Sequence, residues 1–267
     1  MTQAAAFRAL HAGPDPLILA NAWDAGSARL IASLGARAIA TSSAAVAWSH
    51  GYADGHALPI EALAATVREI VRVVDVPVTA DAEGGYDDDP RAAAENVGRL
   101  IDAGAVGVNL EDQGQAPDLL CAKIEAVRAV ADRKGVALFV NARTDVYLRR
   151  LAQGEAAAAE SVARGRRYAE AGADGLFVPG IAAPEEIRRV VEGVALPVNV
   201  MALGGLPAAA TLKDLGVRRL SAATGPARAA LAATRAAAAA FLADGDSDVL
   251  AAAGGGPFDY NALFTAR

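Results

Sequence analysis

Four charged residues stand where apolar segments of this sequence end. Asp81 and Glu83 follow an apolar run that is typical of a buried strand. Glu111 and Arg143 follow the next two such runs. Residues two apart in an extended strand point to the same side, about 6.6 Å apart, so we expect Asp81 and Glu83 to share one face. We expect Glu111, on the neighbouring strand, at matching height about 4.8 Å to the side.

Three carboxylates so close together would take up protons unless a cation neutralised them. No histidine or cysteine joins the group, and an all-oxygen set of donors suits Mg²⁺ or Mn²⁺ better than Zn²⁺. Arg143, one strand further, is expected to hold a substrate carboxylate in a two-point fork. The alternatives are that the acids cap helices and that the arginine forms an ion pair at a barrel rim. The pattern favours a site for a divalent metal and an organic acid.

Other residues near strand ends have two interpretations each. Trp23 either lines the same pocket or packs in the core. The segments ALGGLP and ATGPAR lie where many barrels bind phosphate, or serve as turns that enter helices. The three lysines, Lys123, Lys134 and Lys213, fall in helical stretches away from strand ends. The sequence thus offers no Schiff-base nucleophile, and a metal is expected to polarise the substrate.

Eight short apolar segments alternate with longer alanine-rich segments, which is typical of repeated β-α units. The predicted strands are 17–23, 37–41, 76–81, 106–111, 137–142, 175–178, 197–201 and 218–221. The predicted helices are 26–34, 59–74, 90–103, 118–134, 155–171, 184–192, 207–215 and 226–242. Eight units in 267 residues fit one (β/α)₈ TIM barrel, of the α/β class, better than an open doubly wound sheet.

The barrel is expected to be a single domain over 1–267, with the barrel itself at about 15–243. A short N-terminal helix near residues 2–12 should cover the bottom or side of the barrel. Residues 44–55, AAVAWSHGYADG, are expected to form a long loop after the second strand. Residues 244–267 form a C-terminal extension whose apolar side chains should pack back on the barrel or onto a partner subunit.

Composition excludes several classes of protein. Hydrophobic residues make up 54% of the chain, much of it alanine, yet no uninterrupted apolar run of about 18 residues exists. The N-terminus lacks the features of a signal peptide, so a cytoplasmic protein without membrane association is expected. The single cysteine, Cys121, excludes an intrachain disulfide framework. A net charge of −6 leaves no basic footprint for nucleic acid, so the expected partner is a small molecule.

Several motifs in one order carry a family resemblance. They are LILANAWDAGSARL, TSSAAVAWSHGYADG, DAEGGY, GVNLEDQ, NARTDVYL, GVRRLSAATGPARAAL and the final FDYNALF. Over nearly its whole length the chain resembles the isocitrate lyase and phosphoenolpyruvate mutase superfamily. The resemblance implies a Mg²⁺-dependent barrel that acts on α-oxo acids and their enolates. It also implies a homo-oligomer, a dimer or a tetramer, in which neighbouring subunits exchange their C-terminal helices.

The resemblance also assigns roles by position. Asp81 is similar to the direct metal ligand of the family, whereas Glu83 and Glu111 are similar to acids that act through metal-bound waters. Asp54 corresponds to an acid in the loop after the second strand, and Arg143 to the arginine that binds the substrate carboxylate. The residues that would bind substrate oxygens through hydroxyl and backbone N–H groups are Ser42, Ser43 and Ala44.

The chain departs from the family pattern in three places. The second acid of the third-strand motif is Glu83, where the mutases and many lyases have aspartate. The segment after Glu111 lacks the Lys-Lys-Cys-Gly-His loop of the lyases, and Cys121 is expected to be a buried thiol within a helix. The loop asparagine and the sixth-strand histidine of the mutases are also missing. These departures indicate that the activity is neither that of isocitrate lyase nor that of phosphoenolpyruvate mutase.

The residues that are kept can stabilise an enolate without a dedicated protein acid. We therefore predict a Mg²⁺-dependent lyase that cleaves a C–C or P–C bond of a small α-oxo acid through an enolate stabilised by the metal, as in an oxaloacetate decarboxylase. Asp54 would adjust or transfer a proton. One alternative is a phosphorylmutase or hydrolase that acts on phosphonopyruvate or carboxyphosphonoenolpyruvate. The other is a non-catalytic protein that binds an α-oxo acid.

Overall fold

The computed structural model describes residues 1–254 and 258–265. In this part of the chain nine parallel strands form one sheet, in the order β1-β9-β8-β7-β6-β5-β4-β3-β2. The strands are β1 (Leu17–Leu19), β2 (Asn21–Ala22), β3 (Ile39–Thr41), β4 (Val78–Asp81), β5 (Gly107–Glu111), β6 (Phe139–Arg143), β7 (Gly175–Phe177), β8 (Val198–Met201) and β9 (Arg219–Ser221). Strands β1 and β2 are one predicted strand interrupted at Ala20. Because β1 pairs with β9 and β2 pairs with β3, the interrupted strand nearly closes the barrel.

Helices surround the sheet, as the alternating pattern predicts. They are α1 (Gln3–Leu10), α2 (Ala25–Ser33), α3 (Ser43–Ser49), α4 (Ile60–Val73), α5 (Pro90–Asp102), α6 (Pro117–Arg133), α7 (Gly154–Glu170), α8 (Pro184–Gly193), α9 (Ala209–Asp214), α10 (Gly225–Asp244), α11 (Asp248–Ala253) and α12 (Tyr260–Thr265). The eight-unit TIM barrel predicted from the sequence is confirmed. None of the described helices is both long enough and apolar enough to cross a membrane.

Local sequence explains where several helices begin. The Asp24 side chain accepts a hydrogen bond of 2.6 Å from the Ser27 backbone N–H, and the Ser27 hydroxyl accepts from the Asp24 N–H, which forms a capping box. Asp89 accepts from the Arg91 N–H at 2.7 Å, immediately before Pro90. The prediction of a long loop over 44–55 is wrong in its first half, because α3 occupies Ser43–Ser49. Its buried alanines and Val46 pack against the barrel core, which favours a helix there.

Two apolar layers hold the barrel together. The larger one lies between the sheet and the helices and contains outward-facing strand residues such as Val108, Leu110 and Val140. The smaller one closes the bottom of the barrel, where Phe7 of α1 packs edge-on against Phe139 with ring centroids 5.4 Å apart. The N-terminal helix therefore covers the bottom of the barrel, as predicted.

His11 belongs to this lower layer and makes the fold sensitive to acid. Its ring stacks on Phe139 at 4.2 Å, and its Nδ1 donates to the Phe7 carbonyl at 2.9 Å. Burial, and secondarily the positive charge of Arg219, lower the pKa of His11 from 6.5 to about 4. The folded state thus binds fewer protons than the unfolded state between these pH values, so stability is complete above pH 6.5 and decreases as the pH falls towards 4.

We expect His11 to cost the protein about 3 kcal/mol of unfolding free energy between pH 7 and pH 4. The His11→Phe variant keeps an aromatic ring in the lower layer but has no such proton uptake. The difference in unfolding free energy between wild type and this variant, measured with urea at each pH, isolates the histidine from the other titrating groups. A difference that does not change with pH would contradict the assignment.

In the described part of the C-terminal extension, α12 contacts α2 of the barrel, but most side chains of the extension stay exposed. Arg29 Nε of α2 donates to the Leu263 carbonyl of α12 at 2.9 Å, and Phe264 lies in a groove beside Ala25 and Val73. Part of the predicted extension, residues 255–257 and 266–267, lies outside the described residues. Helix α10 buries a single residue, Ala227, and exposes Leu231 and Leu242.

Candidate active site

A polar cavity of about 170 Å³ opens at the carboxyl ends of the strands. Active sites of barrels of this type lie at this end, where the loops after the strands meet. Six predicted site residues line the cavity, namely Ser42, Ser43, Ala44, Asp54, Asp81 and Arg143. Its other lining residues are Asn21, Asn109, Leu148, Phe177, Met201, Ser221, Ala223 and Thr224. The tertiary structure therefore brings residues from both halves of the sequence around one small space.

A larger cleft of about 800 Å³ lies on the outside of the barrel between α7 and α8. Charged side chains such as Glu155 and Arg189 line it and pair with each other. None of its lining residues is buried. Because solvated charges are poor candidates for chemistry, we place the active site in the smaller cavity at the strand ends.

Asp81 is the last residue of β4 and the buried carboxylate of the cavity. Its Oδ2 accepts from the Ser43 backbone N–H at 3.2 Å, and its own N–H donates to the Thr41 hydroxyl at 2.8 Å. Its Oδ1 is also buried, and it has no hydrogen-bond partner among the described residues. A buried carboxylate oxygen without a donor is costly, which makes this atom suitable for a cation.

Glu83 does not share the face of β4 with Asp81, so that prediction is wrong. The strand ends at Asp81, and Glu83 has a left-handed backbone conformation with φ of 47°. Its Oε2 accepts from the His56 backbone N–H at 2.7 Å, and Tyr86 donates to its Oε1 at 3.3 Å. The carboxylate therefore connects the end of β4 to the loop that follows α3, and Glu83 is not one of the residues that line the cavity.

Glu111 is not level with Asp81, which corrects the predicted register. The partner of Asp81 on β5 is Asn109, two residues earlier. Glu111 lies beside Glu83, because its N–H donates to the Glu83 carbonyl at 2.9 Å. The Glu111 Oε2 atom forms an ion pair of 2.5 Å with Arg143 Nη1.

Burial raises the pKa of both glutamates. The pKa of Glu83 rises to about 7, mainly because of burial, with Asp81 and Asp54 adding repulsion. The pKa of Glu111 rises to about 8, because burial outweighs the attraction of Arg143. The neighbouring carboxylates Asp81 and Asp145 raise it further. The two glutamates thus favour an additional positive charge nearby, either a proton or a cation.

Arg143, at the end of β6, is held between two carboxylates. Its Nε donates to Asp145 Oδ1 at 2.7 Å, while Glu111 contacts Nη1 on the other side. Its guanidinium carbon lies 5.8 Å from the centre of the Phe177 ring. Burial opposes the charge, but Glu111 and Asp145 raise the pKa of Arg143 above its usual range. The arginine is therefore fixed and charged at the cavity wall.

The loop after α3 closes one side of the site. Asp54 lies exposed at the rim of the cavity. His56 anchors the loop, because its Nε2 accepts from the Gly84 N–H at 3.0 Å and its ring stacks on Tyr86 at 5.1 Å. These contacts, together with the His56 N–H that binds Glu83, connect the loop that carries Asp54 to the turn after β4.

Asp112 has a structural role next to the site. Its carboxylate accepts from Arg164 Nη1 at 2.9 Å, from the Tyr168 hydroxyl at 2.8 Å and from two backbone N–H groups, of which one belongs to Asp145 at 3.0 Å. Asp112 thus connects α7 to the segments that carry Glu111 and Arg143. Asp112 is therefore an acid at a strand end whose role is structural.

We expect Asp112→Ala to lower the unfolding free energy by about 3–5 kcal/mol, because it leaves the buried Arg164 guanidinium without this partner. Glu160→Ala is the matched control, since Glu160 pairs with the same arginine at 2.7 Å but is partly exposed. The control should change stability by less than about 1 kcal/mol. Urea unfolding of both variants gives the comparison, and equal effects would argue against the network.

Several residues of the site had no role assigned from the sequence, although Asp145 was noted as a strand-end acid beside Arg143. Asp145 orients Arg143, and Asn109 forms part of the cavity floor. Asn109 precedes Glu111 by two residues on β5, so strand alternation places both on the inner face and was a usable signal. Phe177 and Met201 form an apolar part of the cavity wall. No sequence pattern indicated that these two residues belong to the site.

Three other residues discussed in the sequence analysis are not among the residues that line the cavity. Trp23 is half-buried and packs against the main core. Lys123 lies in α6 as predicted, but it is buried behind the site, where its Nζ donates to the Gly84 carbonyl at 2.7 Å. Cys121 is a partly buried thiol within the same helix.

The chain is similar to known proteins over most of its length. The family model described as phosphoenolpyruvate phosphomutase matches residues 7–242. An uncharacterized protein of Mycobacterium tuberculosis is 37% identical over 232 residues, which is 84% of each chain. A crystal structure of a phosphonomutase-like protein from Burkholderia cenocepacia J2315 is 44% identical with a TM-score of 0.84, and the match covers 88% of this chain and 98% of that one. The crystal structure of 2,3-dimethylmalate lyase is 30% identical with a TM-score of 0.81, over 92% and 89% of the two chains.

Proposed function

The chain belongs to the phosphoenolpyruvate phosphomutase family, and we propose that it is a Mg²⁺-dependent lyase that cleaves the bond β to the ketone of a small α-oxo acid. The reaction we favour is decarboxylation of an oxaloacetate-like acid. The observation that carries this proposal is Asp81, a residue of the cavity wall whose buried Oδ1 has no hydrogen-bond partner among the described residues. The fixed guanidinium of Arg143 lies in the same small cavity.

The donor set fits Mg²⁺ or Mn²⁺ with one direct protein ligand. Across residues 1–254 and 258–265, no three carboxylate, imidazole or thiolate side chains converge into a ready-made metal cluster. Mg²⁺ commonly keeps several waters and binds through one or two carboxylates, so this arrangement suits it. We propose Asp81 as the direct ligand and Glu83 and Glu111 as acids that contact bound waters. When bound, the cation would polarise the ketone oxygen and stabilise the negative charge that develops there.

The remaining roles fall to residues of the chain itself. Arg143 would bind the substrate carboxylate, and the groups that hold it, Glu111 and Asp145, would keep its planar fork oriented. Ser42 and Ser43 would position the substrate oxygens through their hydroxyl groups, because their N–H groups already bind the Ala22 carbonyl and Asp81. Ala44 would do so through its backbone N–H. Phe177 and Met201 would exclude water from one wall. Asp54, exposed at the rim, would exchange a proton with solvent and pass it to the product carbon.

Product analysis tests the proposal directly. Purified protein with Mg²⁺ is incubated separately with oxaloacetate, phosphonopyruvate and 2-methylisocitrate, and pyruvate is followed by ¹H NMR. Because free Mg²⁺ itself promotes loss of CO₂ from oxaloacetate, the Asp81→Asn variant at the same Mg²⁺ concentration is the blank. We expect pyruvate from oxaloacetate above this blank. Pyruvate from none of the three acids would contradict the lyase proposal, and ligand binding without turnover would indicate a binding protein.

One observation favours a second candidate, a phosphonate-processing mutase or hydrolase. Ala223 and Thr224 line the cavity directly before α10, and Ala223 has a left-handed φ of 50°. The first N–H groups of a long helix attract anions such as a phosphonate. In the same incubations, ³¹P NMR follows phosphonopyruvate and ¹H NMR follows oxaloacetate. A mutase or hydrolase would convert phosphonopyruvate faster than oxaloacetate, whereas the lyase that we favour would do the reverse.

We also propose that the protein is a homo-oligomer. Helix α10 is twenty residues long but buries only Ala227, and its alanine-rich surface includes exposed Leu231, Phe241 and Leu242. A monomer seldom leaves so long an apolar helix uncovered, so a second copy of the chain is the expected partner. We expect light scattering of the full chain to give the mass of a dimer or tetramer, and Leu231→Asp to lower it. A monomeric mass at micromolar concentration would contradict this.

A further inference from the structure

Below the cavity floor, the interior of the barrel holds one large charged side chain. Arg219 of β9 is only 1% exposed. Its Nη2 contacts Asn109 Oδ1 at 3.5 Å, and its Nε and Nη1 atoms have no hydrogen-bond partner among the described residues. No carboxylate in the described part of the chain lies within ion-pair distance of its guanidinium.

The surroundings of Arg219 are polar but uncharged. Asn199 is its register partner on β8, and Asn141 donates to the same Asn109 oxygen at 2.9 Å. Burial lowers the pKa of Arg219 to about 10, and the negative charge of Asp81 partly offsets this effect. The side chain therefore remains positive at neutral pH.

A buried charge without a partner is unfavourable for folding. Removing a guanidinium from water costs several kcal/mol, and neutral amides replace only part of that hydration. An apolar side chain of similar size would pack there at lower cost. Stability alone thus gives no reason for an arginine at this position.

The position of Arg219 relates it to the cavity. It precedes Ser221, a cavity residue, by two positions on β9, so both side chains face the inside of the barrel about 6.6 Å apart along the strand. Its contact Asn109 is itself part of the cavity floor, and Asn109 is the register partner of Asp81. The guanidinium lies one layer beneath the place where a ligand would bind.

We propose that Arg219 is a specificity-determining residue that makes the cavity prefer a doubly charged anion to a singly charged anion of the same shape. This inference rests on the proposed function and adds the charge of the substrate to it. In a site shielded from water, a fixed positive charge acts over several ångströms with little screening. Its effect grows in proportion to the charge of the ligand, and it opposes the binding of a cation.

Loss of the Arg219 charge should change the affinity for each ligand according to that ligand's charge. A structural defect would instead weaken the binding of all ligands. Oxalate is a planar dianion, and oxamate is a monoanion of nearly the same shape. We expect Arg219→Met to weaken oxalate binding to the Mn²⁺-loaded protein on the order of tenfold and oxamate binding about threefold. Mn²⁺ alone should bind on the order of tenfold more tightly to the variant. Calorimetry measures both anions, and electron paramagnetic resonance of free Mn²⁺ measures the metal.

Two further variants complete the experiment. Arg219→Gln removes the same charge but keeps a polar side chain, so it should show the same three changes. Arg218→Met is the matched control, because it also removes one positive charge but from a partly exposed neighbour that contacts the Pro14 carbonyl. It should change none of the three affinities by more than about twofold. Thermal unfolding confirms that each variant is folded, and Arg219→Met should unfold at the same temperature as wild type or higher.

Each other outcome decides against the inference. If the two anions and Mn²⁺ all bind less tightly, or all bind unchanged, Arg219 has no charge-selective role. If neither neutral variant folds, its role is structural. A wild-type protein that binds no Mn²⁺ overturns the proposed function together with this inference. Wild-type binding of Mn²⁺ with no change in the variants overturns the inference alone.

Discussion

Replacing Asp81 with asparagine is expected to lower kcat/KM for oxaloacetate about a thousandfold, which corresponds to about 4 kcal/mol of transition-state stabilisation. The reason is the position of the carboxylate. Its Oδ1 is buried without a hydrogen-bond partner among the described residues, while Oδ2 is held by the Ser43 N–H at 3.2 Å. Asparagine keeps the size of the side chain but removes the negative charge that a cation requires.

Direct metal binding separates this effect from a defect in folding. Mn²⁺ affinity of Asp81→Asn should fall about a hundredfold, while its urea unfolding changes by less than about 2 kcal/mol. Asp89→Asn is the matched control, because it removes the same charge from an exposed helix cap where asparagine also serves. If Asp81→Asn retains full activity with Mn²⁺ bound, the assignment of Asp81 as metal ligand is wrong.

Replacing Arg143 with lysine is expected to raise KM for oxaloacetate about thirtyfold to a hundredfold, with a smaller decrease in kcat. Lysine keeps the positive charge between Glu111 and Asp145, so the fold should persist. It cannot satisfy both of these acids and also present two parallel N–H groups to a substrate carboxylate. The loss should therefore appear mainly as weaker binding of the substrate.

The control for Arg143→Lys is Arg149→Lys. Arg149 lies 3.8 Å from the same Asp145, but its side chain is 59% exposed and it is not a residue of the cavity lining. This variant should leave both kinetic constants within about twofold of wild type. Oxamate affinity gives a second measurement that does not depend on turnover. A KM and an oxamate affinity that are both unchanged in Arg143→Lys would show that Arg143 only forms a structural ion pair.

The comparison of Asp81 with Asp112 shows why these predictions need the structure. Both are buried acids near the ends of neighbouring strands. Asp112 accepts four hydrogen bonds and so has a structural role. Asp81 lines the cavity, and its Oδ1 has no hydrogen-bond partner in the described part of the chain. The number of donors around each carboxylate comes from other parts of the chain, notably α7, so no local pattern reveals it.

The sequence by itself determined the eight repeated units, their order and the end of the barrel where polar residues gather. Those features depend on local alternation of apolar and polar residues, on helix caps such as Asp89, and on the rule that parallel strands place their carboxyl ends together. The positions of Ser42, Asp81 and Arg143 around one cavity followed from that rule. The family resemblance added the roles of these residues as expectations.

Only the tertiary structure decided which side chains face each other. Three features of the site depend on how strands shift against one another when a sheet closes. They are the register that pairs Asp81 with Asn109, the left-handed turn at Glu83 and the buried charge of Arg219. That shift is set by side-chain packing around the whole barrel, between residues far apart in the chain. Alternation of apolar and polar residues predicts which residues lie on the inner face of a strand. It does not predict the height of those residues relative to residues of the next strand.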